Sequence, residues 1–299
     1  MQMIRIGVDF GGTKIEAAAL DAEGRFQARV RGPSPGDYDA GLEAVRTLVE
    51  EAERQAGATV GRIGVGGPGS PSPAGGLMRG ANSTQLNGHP FPQDLARVLR
   101  REVRYANDAN CLALSEGTDG AAADGRVVFA AILGTGVGAG VAVDREILVG
   151  RNGFAGEWGH APLPWPTARE YPGPPCWCGR RGCMELWVSG PAFARDAGQP
   201  AETGVQAARS GDAYAGAVLD QYIDRLARGL AVVCDILDPD VIVLGGGMSN
   251  VDELYDRLPA AIAPHVFSDV FETPVVKARH GDSSGVRGAA WLWPLESRP

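Results

Sequence analysis

GEWGH at residues 156–160 and CWCGRRGCME at residues 176–185 are the two stretches that decide how this chain is interpreted. Together they contain three of its five cysteines and one of its four histidines. Three thiolates and one imidazole fill the four positions of a tetrahedral zinc site and leave none open for water. The pattern therefore predicts a structural zinc ion, and its expected ligands are His160, Cys176, Cys178 and Cys183.

The Cys-x-Cys pair has two other interpretations, a chance arrangement and a redox pair. Gly179 and Gly182 favour the metal, because glycine permits the tight backbone turns that a metal knuckle requires. The ion would pin a long loop so that Glu157 and Glu185, beside the ligands, converge on a substrate. The alternative for both glutamates is a solvated loop carboxylate. Outside the cluster, the remaining two cysteines are expected to be small buried hydrophobes.

Chain length and net charge limit the classes of protein to which this sequence can belong. A chain of 299 residues is long enough for two domains with full cores. Its formal net charge of −8 opposes non-specific nucleic-acid binding, which depends on neutralising phosphates with Lys and Arg. No apolar run is long enough to cross a bilayer and no signal peptide is visible. An odd number of cysteines with a metal-like cluster favours the reducing cytoplasm.

A phosphate-type loop follows the first predicted strand, at residues 3–8. The sequence DFGGTK at residues 9–14 leads into a second β-like run, so it forms the turn of a hairpin. Backbone N–H groups and a hydroxyl in such a turn can bind an anion, and a carboxylate before it suits Mg²⁺ held through water. Hairpins also use such turns without any ligand. The residues predicted to contact phosphate are Asp9, which would also serve the Mg²⁺, Gly11, Gly12, Thr13 and Lys14.

Two further glycine clusters follow apolar strands. The strand at residues 127–133 runs into GTGVGAG at 134–140 before the next strand at 141–143. Another strand, at 241–244, opens into GGGMS at 245–249, where glycines let an adenine or ribose lie against the backbone. The predicted nucleotide contacts in these clusters are Gly134, Thr135, Gly136, Gly138, Gly246 and Gly247.

Asn107 and Asp108 stand where a strand changes into a helix. Ligands of open α/β sheets collect at the carboxyl edge of the strands, which favours a functional Asp108. Asn and Asp are equally favoured as helix N-caps, so the local pattern leaves both roles open. Helical periodicity is predicted at about 38–57, 92–101, 213–237 and 251–263.

These segments, in this order, resemble the ROK family of sugar kinases and repressors. Within it the chain is most similar to bacterial fructokinases, also called manno(fructo)kinases, at residues 82–84 and 162–165 among others. The resemblance implies an α/β, two-domain fold of the actin/hexokinase/ribonuclease-H-like type. Residues 1–115 would form the N-terminal domain, completed by a C-terminal helix at about 283–299. Residues 116–282 would carry the zinc loop, with sugar and ATP in the interdomain cleft.

The resemblance also implies a reaction: ATP- and Mg²⁺-dependent phosphorylation of D-fructose, and also of D-mannose, at the 6-hydroxyl. Asp108 would be the general base, and His160 would serve both zinc and sugar. A cytoplasmic homodimer that binds neither nucleic acid nor membrane is expected. The residues implied to hold the sugar are Asn82, Asn107, Asp108, Glu157, His160 and Glu185.

Three rival functions remain. N-acetylglucosamine kinases and glucokinases share nearly every motif above. A sugar-sensing repressor is disfavoured by the acidic charge and by a first strand that begins near the N-terminus. A catalytically inactive scaffold is disfavoured because Asp9, Asp108 and both phosphate loops are present.

Overall fold

The computed structural model describes residues 4–57 and 61–294. The first residue of the predicted first strand and the end of the predicted C-terminal helix lie outside the described residues. The chain divides into two compact units. Unit 1 consists of Met1–Ala123, Arg145–Ala155 and His280–Pro299, and unit 2 of Asp124–Asp144 and Gly156–Arg279. The domain boundaries drawn from the resemblance stay a prediction.

Groups of strands and helices follow one another along the chain. The main strands are β1 (Arg5–Phe10), β2 (Lys14–Leu20), β3 (Phe26–Pro33), β4 (Arg62–Gly67), β5 (Val103–Asn107), β6 (Val127–Leu133), β7 (Val137–Val143), β8 (Val241–Gly245) and β9 (Val275–Lys277). The helices are α1 (Tyr38–Gln55), α2 (Phe91–Leu99), α3 (Asp108–Asp119), α4 (Glu185–Val188), α5 (Gly190–Ala197), α6 (Ala201–Arg209), α7 (Ala213–Leu237), α8 (Glu253–Ile262) and α9 (Ser284–Trp291). Two-residue strands occur at Ser70–Pro71, Met78–Arg79 and Glu146–Ile147, and 3₁₀ turns at Thr84–Leu86, Trp158–His160, Gly247–Asn250, Ala263–His265 and Gly281–Ser283.

Unit 1 contains a five-stranded sheet in the order β3-β2-β1-β4-β5. Alternate residues of β1, among them Ile6 and Val8, are buried in one core cluster with apolar residues of α1. Gly7 and Gly64 are register partners on neighbouring strands and lie under α9. A Cβ would lie 1.9 Å from the Val286 carbonyl oxygen at Gly7 and 1.8 Å from a carbonyl oxygen of α9 at Gly64. The sheet therefore accepts α9 only because these positions carry no side chain.

The parallel strands of unit 1 bring several predicted site residues to one edge of the sheet. β1 pairs in parallel with β4, and β4 with β5. In this register Asp9 lies opposite Gly66, and Gly67 lies opposite Asn107. The turn after β1, the loop after β4 and the start of α3 consequently share the carboxyl edge, where ligands of such sheets bind.

Unit 2 is built around a sheet in which its strands lie in the order β7-β6-β8-β9. Its core is formed by apolar residues of β6, β7, β8, α7 and α8, among others. A buried ion cluster fixes the loop after residue 160: Arg225 and Arg228 both bond Glu170, at 2.8 and 3.0 Å. Burial alone would raise the pKa of Glu170, but these bonds outweigh it and lower the pKa to about 2. In the part of the chain that is described, no helix has the length and apolarity of a membrane span.

Sequence periodicity located most elements, and two of them end at the expected residue, β6 at Leu133 and α7 at Leu237. Two boundaries were predicted wrongly: the C-terminal helix, expected to reach about residue 299, ends at Trp291, and β7 begins earlier than expected. β7 begins at Val137, four residues earlier than predicted, because Leu133 already pairs with Val137 across the hairpin. Gly138 therefore belongs to a strand, and the loop is restricted to residues 134–136.

Candidate functional site

The first predicted phosphate loop is a tight hairpin turn between β1 and β2. The Gly11 N–H donates to the Lys14 carbonyl oxygen at 3.0 Å, and a Cβ on Gly11 would come within 2.8 Å of that oxygen. Gly12, Thr13 and Lys14 are exposed. A backbone that closes this tightly and stays open to solvent is suited to contact an anion.

The loop at residues 81–87 lies beside this turn. The Asn87 side chain bonds both the N–H and the carbonyl of Ala81, at 3.0 and 2.9 Å, and so closes the loop. Asn82 is exposed at its tip, and the Ser83 hydroxyl lies 3.6 Å from the position of a Cβ on Gly12. Unit 1 thus brings a predicted sugar-binding residue and a predicted phosphate turn into one neighbourhood.

At the end of β5, the structure distinguishes the roles of two neighbouring residues. The Asn107 Oδ1 accepts the Asn110 N–H at 2.8 Å, so Asn107 is the N-cap of α3. Asp108 is the first residue of the helix, its Oδ1 accepts the adjacent Ala109 N–H at 3.0 Å, and the residue is exposed. Asn107 is therefore the cap of α3, and the alternative in which Asp108 serves only as the helix cap is not supported.

Asp9 carries a strongly perturbed carboxyl group. Burial, with a further contribution from the negative charge of Asp108, raises the pKa of Asp9 to about 6. Gly285 of α9 packs against it: a Cβ there would lie 2.8 Å from the Asp9 Oδ2. The negative charge of Asp108 acts on the Asp9 carboxyl, and two neighbouring carboxylates form a hard oxygen donor set, which fits Mg²⁺.

The glycine turns of unit 2 lie next to each other. Gly134 is held from two sides, because its N–H donates to the Gly136 carbonyl at 3.0 Å and its carbonyl accepts the Gly190 N–H at 2.9 Å. Gly246 has a φ of +81°, and a Cβ there would lie 2.7 Å from the backbone of Leu133. The turn after β6 and the turn after β8 therefore form one glycine-lined surface, although the sequence placed them over a hundred residues apart.

The segment 156–160 packs directly on β7 because two of its residues lack side chains. A Cβ on Gly156, whose φ is +89°, would lie 2.1 Å from the Ala139 carbonyl oxygen. A Cβ on Gly159 would lie 1.9 Å from the Val137 carbonyl oxygen. Between them, Trp158 is buried, while Glu157 remains exposed.

The four predicted zinc ligands converge in unit 2. Their donor atoms all lie within 4.8 Å of one another. The His160 Nδ1 and Cys176 Sγ are 3.6 Å apart, as are the Cys178 and Cys183 Sγ atoms. Bonds of about 2.3 Å to sulfur and 2.0–2.1 Å to nitrogen at a tetrahedral zinc require ligand atoms about 3.5–3.8 Å apart. The donor set therefore fits a closed, structural zinc site.

The backbone around the cluster has the geometry expected of a metal knuckle. Gly179 and Gly182 have φ values of +88° and +66°, and the Cys176 N–H donates to the Arg180 carbonyl at 2.7 Å. All five cysteines lie in the described part of the chain, and all five are free. Burial raises the pKa of the Cys183 thiol to about 12, so a metal that binds there must displace its proton.

Glu185 connects this cluster to the first glycine turn of unit 2. One carboxylate oxygen accepts the Trp177 indole N–H at 2.9 Å, and the other accepts the Val137 N–H at 3.0 Å. Sequence reasoning missed Trp177, although its place inside Cys-x-Cys was a signal. Val137 also contacts Gly159, so Glu185 and the 156–160 segment meet on the same strand residue.

Comparison with known proteins identifies the class. The ROK family profile matches residues 5–296, so the chain belongs to the ROK family and has its α/β two-domain sugar kinase fold. N-acetyl-D-glucosamine kinase of Yersinia pseudotuberculosis is 39% identical over 297 residues, covering 96% of this chain and 97% of that protein. N-acetyl-D-glucosamine kinase of Pectobacterium atrosepticum is 39% identical over 302 residues, covering 97% and 99%.

Solved structures agree with this assignment. A ROK hexokinase from Thermus thermophilus has a TM-score of 0.87 and 33% identity, covering 97% of each chain. A ROK family glucokinase from Streptomyces griseus, in complex with glucose and AMPPNP, has a TM-score of 0.77 and 27% identity, covering 97% of this chain and 98% of that chain.

Proposed function

We propose that this protein transfers the γ-phosphoryl group of ATP to the 6-hydroxyl of N-acetylglucosamine. The observation that carries the proposal is the pair of N-acetyl-D-glucosamine kinases that match the chain at 39% identity over nearly its whole length. The fructose and mannose specificity predicted from the sequence is less well supported, since none of the relatives described above is a fructokinase. Glucose is the second candidate, because a glucokinase of the same family shares the fold.

Asp108 is proposed as the general base. It is exposed at the first position of α3, at the carboxyl edge of the unit 1 sheet, and the neighbouring Asn107 caps the helix in its place. A carboxylate at this exposed position, on the sheet edge where ligands collect, can accept a proton from the attacking hydroxyl. Such proton transfer contributes about 10²–10⁴-fold to a reaction rate. The remaining acceleration must come from positioning and charge neutralisation.

The sugar hydroxyls are proposed to bind to five further residues. Carboxylates and amides that bond hydroxyls reject analogues that lack them far more strongly than an apolar wall does. The Asn107 oxygen is occupied by the helix cap, so this residue would act through its amide nitrogen. The Nδ1 of His160 faces Cys176, which leaves its Nε2 for the sugar. The five residues are Asn82, Asn107, Glu157, His160 and Glu185.

The nucleotide is proposed to bind through the glycine turns. Gly11, Gly12 and Thr13 of unit 1 offer an exposed turn, and the turns of unit 2 at 134–136 and 246–247 offer glycine backbone. Asp9 would hold Mg²⁺, which neutralises charge on the transferred phosphoryl group when it is bound. The zinc cluster would act structurally, by fixing the segment that carries His160 and Glu185. A homodimer remains a prediction from the resemblance.

The test is product identification. The protein, ATP, Mg²⁺ and N-acetylglucosamine are incubated, and the sugar phosphate is identified by ³¹P NMR and mass spectrometry. A 6-phosphate formed by the wild type, and formed at least about a hundredfold more slowly by Asp108→Asn, supports the proposal. A wild-type protein that leaves N-acetylglucosamine unmodified while it phosphorylates fructose or glucose would reject the proposed substrate.

A further inference from the structure

Trp177 has a side chain that is not part of the hydrophobic core. It is the middle residue of the Cys-x-Cys pair, and it is 73% exposed. Its ring meets His160 edge-on, with centroids 4.8 Å apart and planes at 86°. Core packing does not account for this exposed side chain, which lies against one of the expected metal ligands.

The explanation lies in what the indole N–H bonds. The Trp177 Nε1 donates to one Glu185 carboxylate oxygen at 2.9 Å, and the Val137 N–H donates to the other at 3.0 Å. Both carboxylate oxygens of Glu185 are therefore held by hydrogen bonds. One bond comes from Trp177, within the Cys-x-Cys pair, and the other from Val137, the first residue of β7. A Cβ on Gly136 would lie 2.8 Å from the same carboxylate, so the glycine turn also borders this group.

We propose that Trp177 is a positioning residue for the sugar: its indole N–H holds the Glu185 carboxylate in the orientation that receives the sugar hydroxyls. This inference rests on the proposed function. An ionised carboxylate has about four lone-pair sites, so two remain after the Trp177 and Val137 bonds. With both oxygens fixed, those two sites are aligned before the sugar arrives. Without the indole, the sugar itself would have to order Glu185, which weakens binding and leaves the chemical step alone.

The test is Trp177→Phe, which keeps an aromatic ring for the His160 contact and removes only the N–H donor. We expect the KM for the sugar to rise about tenfold, because the variant loses one hydrogen bond to a charged group near the surface. The kcat should change less than about twofold. The KM for ATP and the zinc content should stay at wild-type values. Tyr214→Phe is the matched control, since it removes a donor from another exposed ring of unit 2, and its sugar KM should not change.

Three outcomes of these measurements would overturn the inference. An unchanged sugar KM in Trp177→Phe would mean that the indole only covers the surface. A fall in zinc content in the same variant would mean that Trp177 supports the metal cluster and not the carboxylate. Equal losses for Trp177→Phe and Tyr214→Phe would also show that the effect is not specific to Glu185.

An NMR measurement separates this inference from the proposed function. The indole N–H resonance of Trp177 is assigned in a ¹⁵N spectrum as the signal that disappears in Trp177→Phe. In Glu185→Gln the charged acceptor is removed, so this resonance should shift upfield. If the wild type proves inactive on all sugars, the proposed function fails, and the resonance still decides whether Trp177 holds Glu185. A resonance that is insensitive to Glu185→Gln would contradict the inference.

Discussion

Replacing Asp9 by Asn should make the protein more stable at neutral pH while it becomes inactive. Asp9 is partly buried near the end of β1, and Gly285 of α9 packs against its carboxylate. Burial and the neighbouring charge of Asp108 raise the pKa of Asp9 from 3.8 to about 6. An ionised Asp9 therefore costs stability, and the neutral amide of nearly the same shape removes that cost.

The magnitude and the pH window follow from linkage. Between pH 3.8 and about 6 the folded state binds more protons at Asp9 than the unfolded state does, so the contribution of Asp9 to wild-type stability falls as pH rises through this window. The full difference between these two pKa values corresponds to about 3 kcal/mol. Asp9→Asn does not titrate, so its advantage should be near zero below pH 4 and reach up to about 3 kcal/mol above pH 6.

The assay is urea unfolding followed by tryptophan fluorescence at pH 4 and pH 7.5, without added Mg²⁺ and without a chelator that would remove zinc. Asp94→Asn is the control. Its carboxylate bonds Arg97, which lowers the pKa of Asp94, so its loss should destabilise by less than about 1 kcal/mol. An Asp9→Asn variant that is less stable than the wild type at pH 7.5 would refute the reasoning.

Three other predictions follow from the same structure. Cys178→Ser removes one thiolate, so elemental analysis should find little bound zinc, whereas Cys234→Ser, outside the cluster, should keep it; zinc retained in the first variant would refute the ligand set. Asp108→Asn should lower kcat by about 10²–10⁴-fold with an unchanged circular dichroism spectrum and sugar affinity, and a near-normal rate would remove Asp108 from its role. Gly64→Ala places a Cβ 1.8 Å from a carbonyl oxygen of α9 and should reduce the free energy of unfolding by about 3 kcal/mol or more. Gly216→Ala is the control: a Cβ there has nothing within 4 Å, and the change should raise the free energy of unfolding by up to about 1 kcal/mol. Equal urea midpoints for the two variants would contradict the packing argument.

Local chemistry explains what the sequence predicted well. The Cys/His cluster was visible because ligand type and the glycines at 179 and 182 are properties of one short segment. The hairpin turn after β1 and the helix α7 were visible for the same reason, since periodicity and turn residues act over a few positions. The position of Asn107 and Asp108 at the carboxyl edge of the sheet was predictable because one strand ends there and one helix begins there.

Other features depend on residues far apart in sequence and were not visible. Either Asn107 or Asp108 satisfied the local capping rule, and only the backbone geometry gave the cap to Asn107. The raised pKa of Asp9 depends first on its burial in the folded unit and then on the charge of Asp108, about a hundred positions away. The choice of sugar was the weakest prediction, because related kinases share the motifs and differ in groups around them.

The most direct test of the account is a coupled assay that measures kcat/KM for N-acetylglucosamine, glucose, fructose and mannose with saturating Mg²⁺ and ATP, on protein with its zinc content determined. The account predicts turnover of a hexose by the zinc-containing protein, with the highest kcat/KM on N-acetylglucosamine. A highest value on fructose would restore the specificity predicted from the sequence and contradict the proposed substrate. No turnover of any of the four sugars would contradict the proposal that this chain is a sugar kinase.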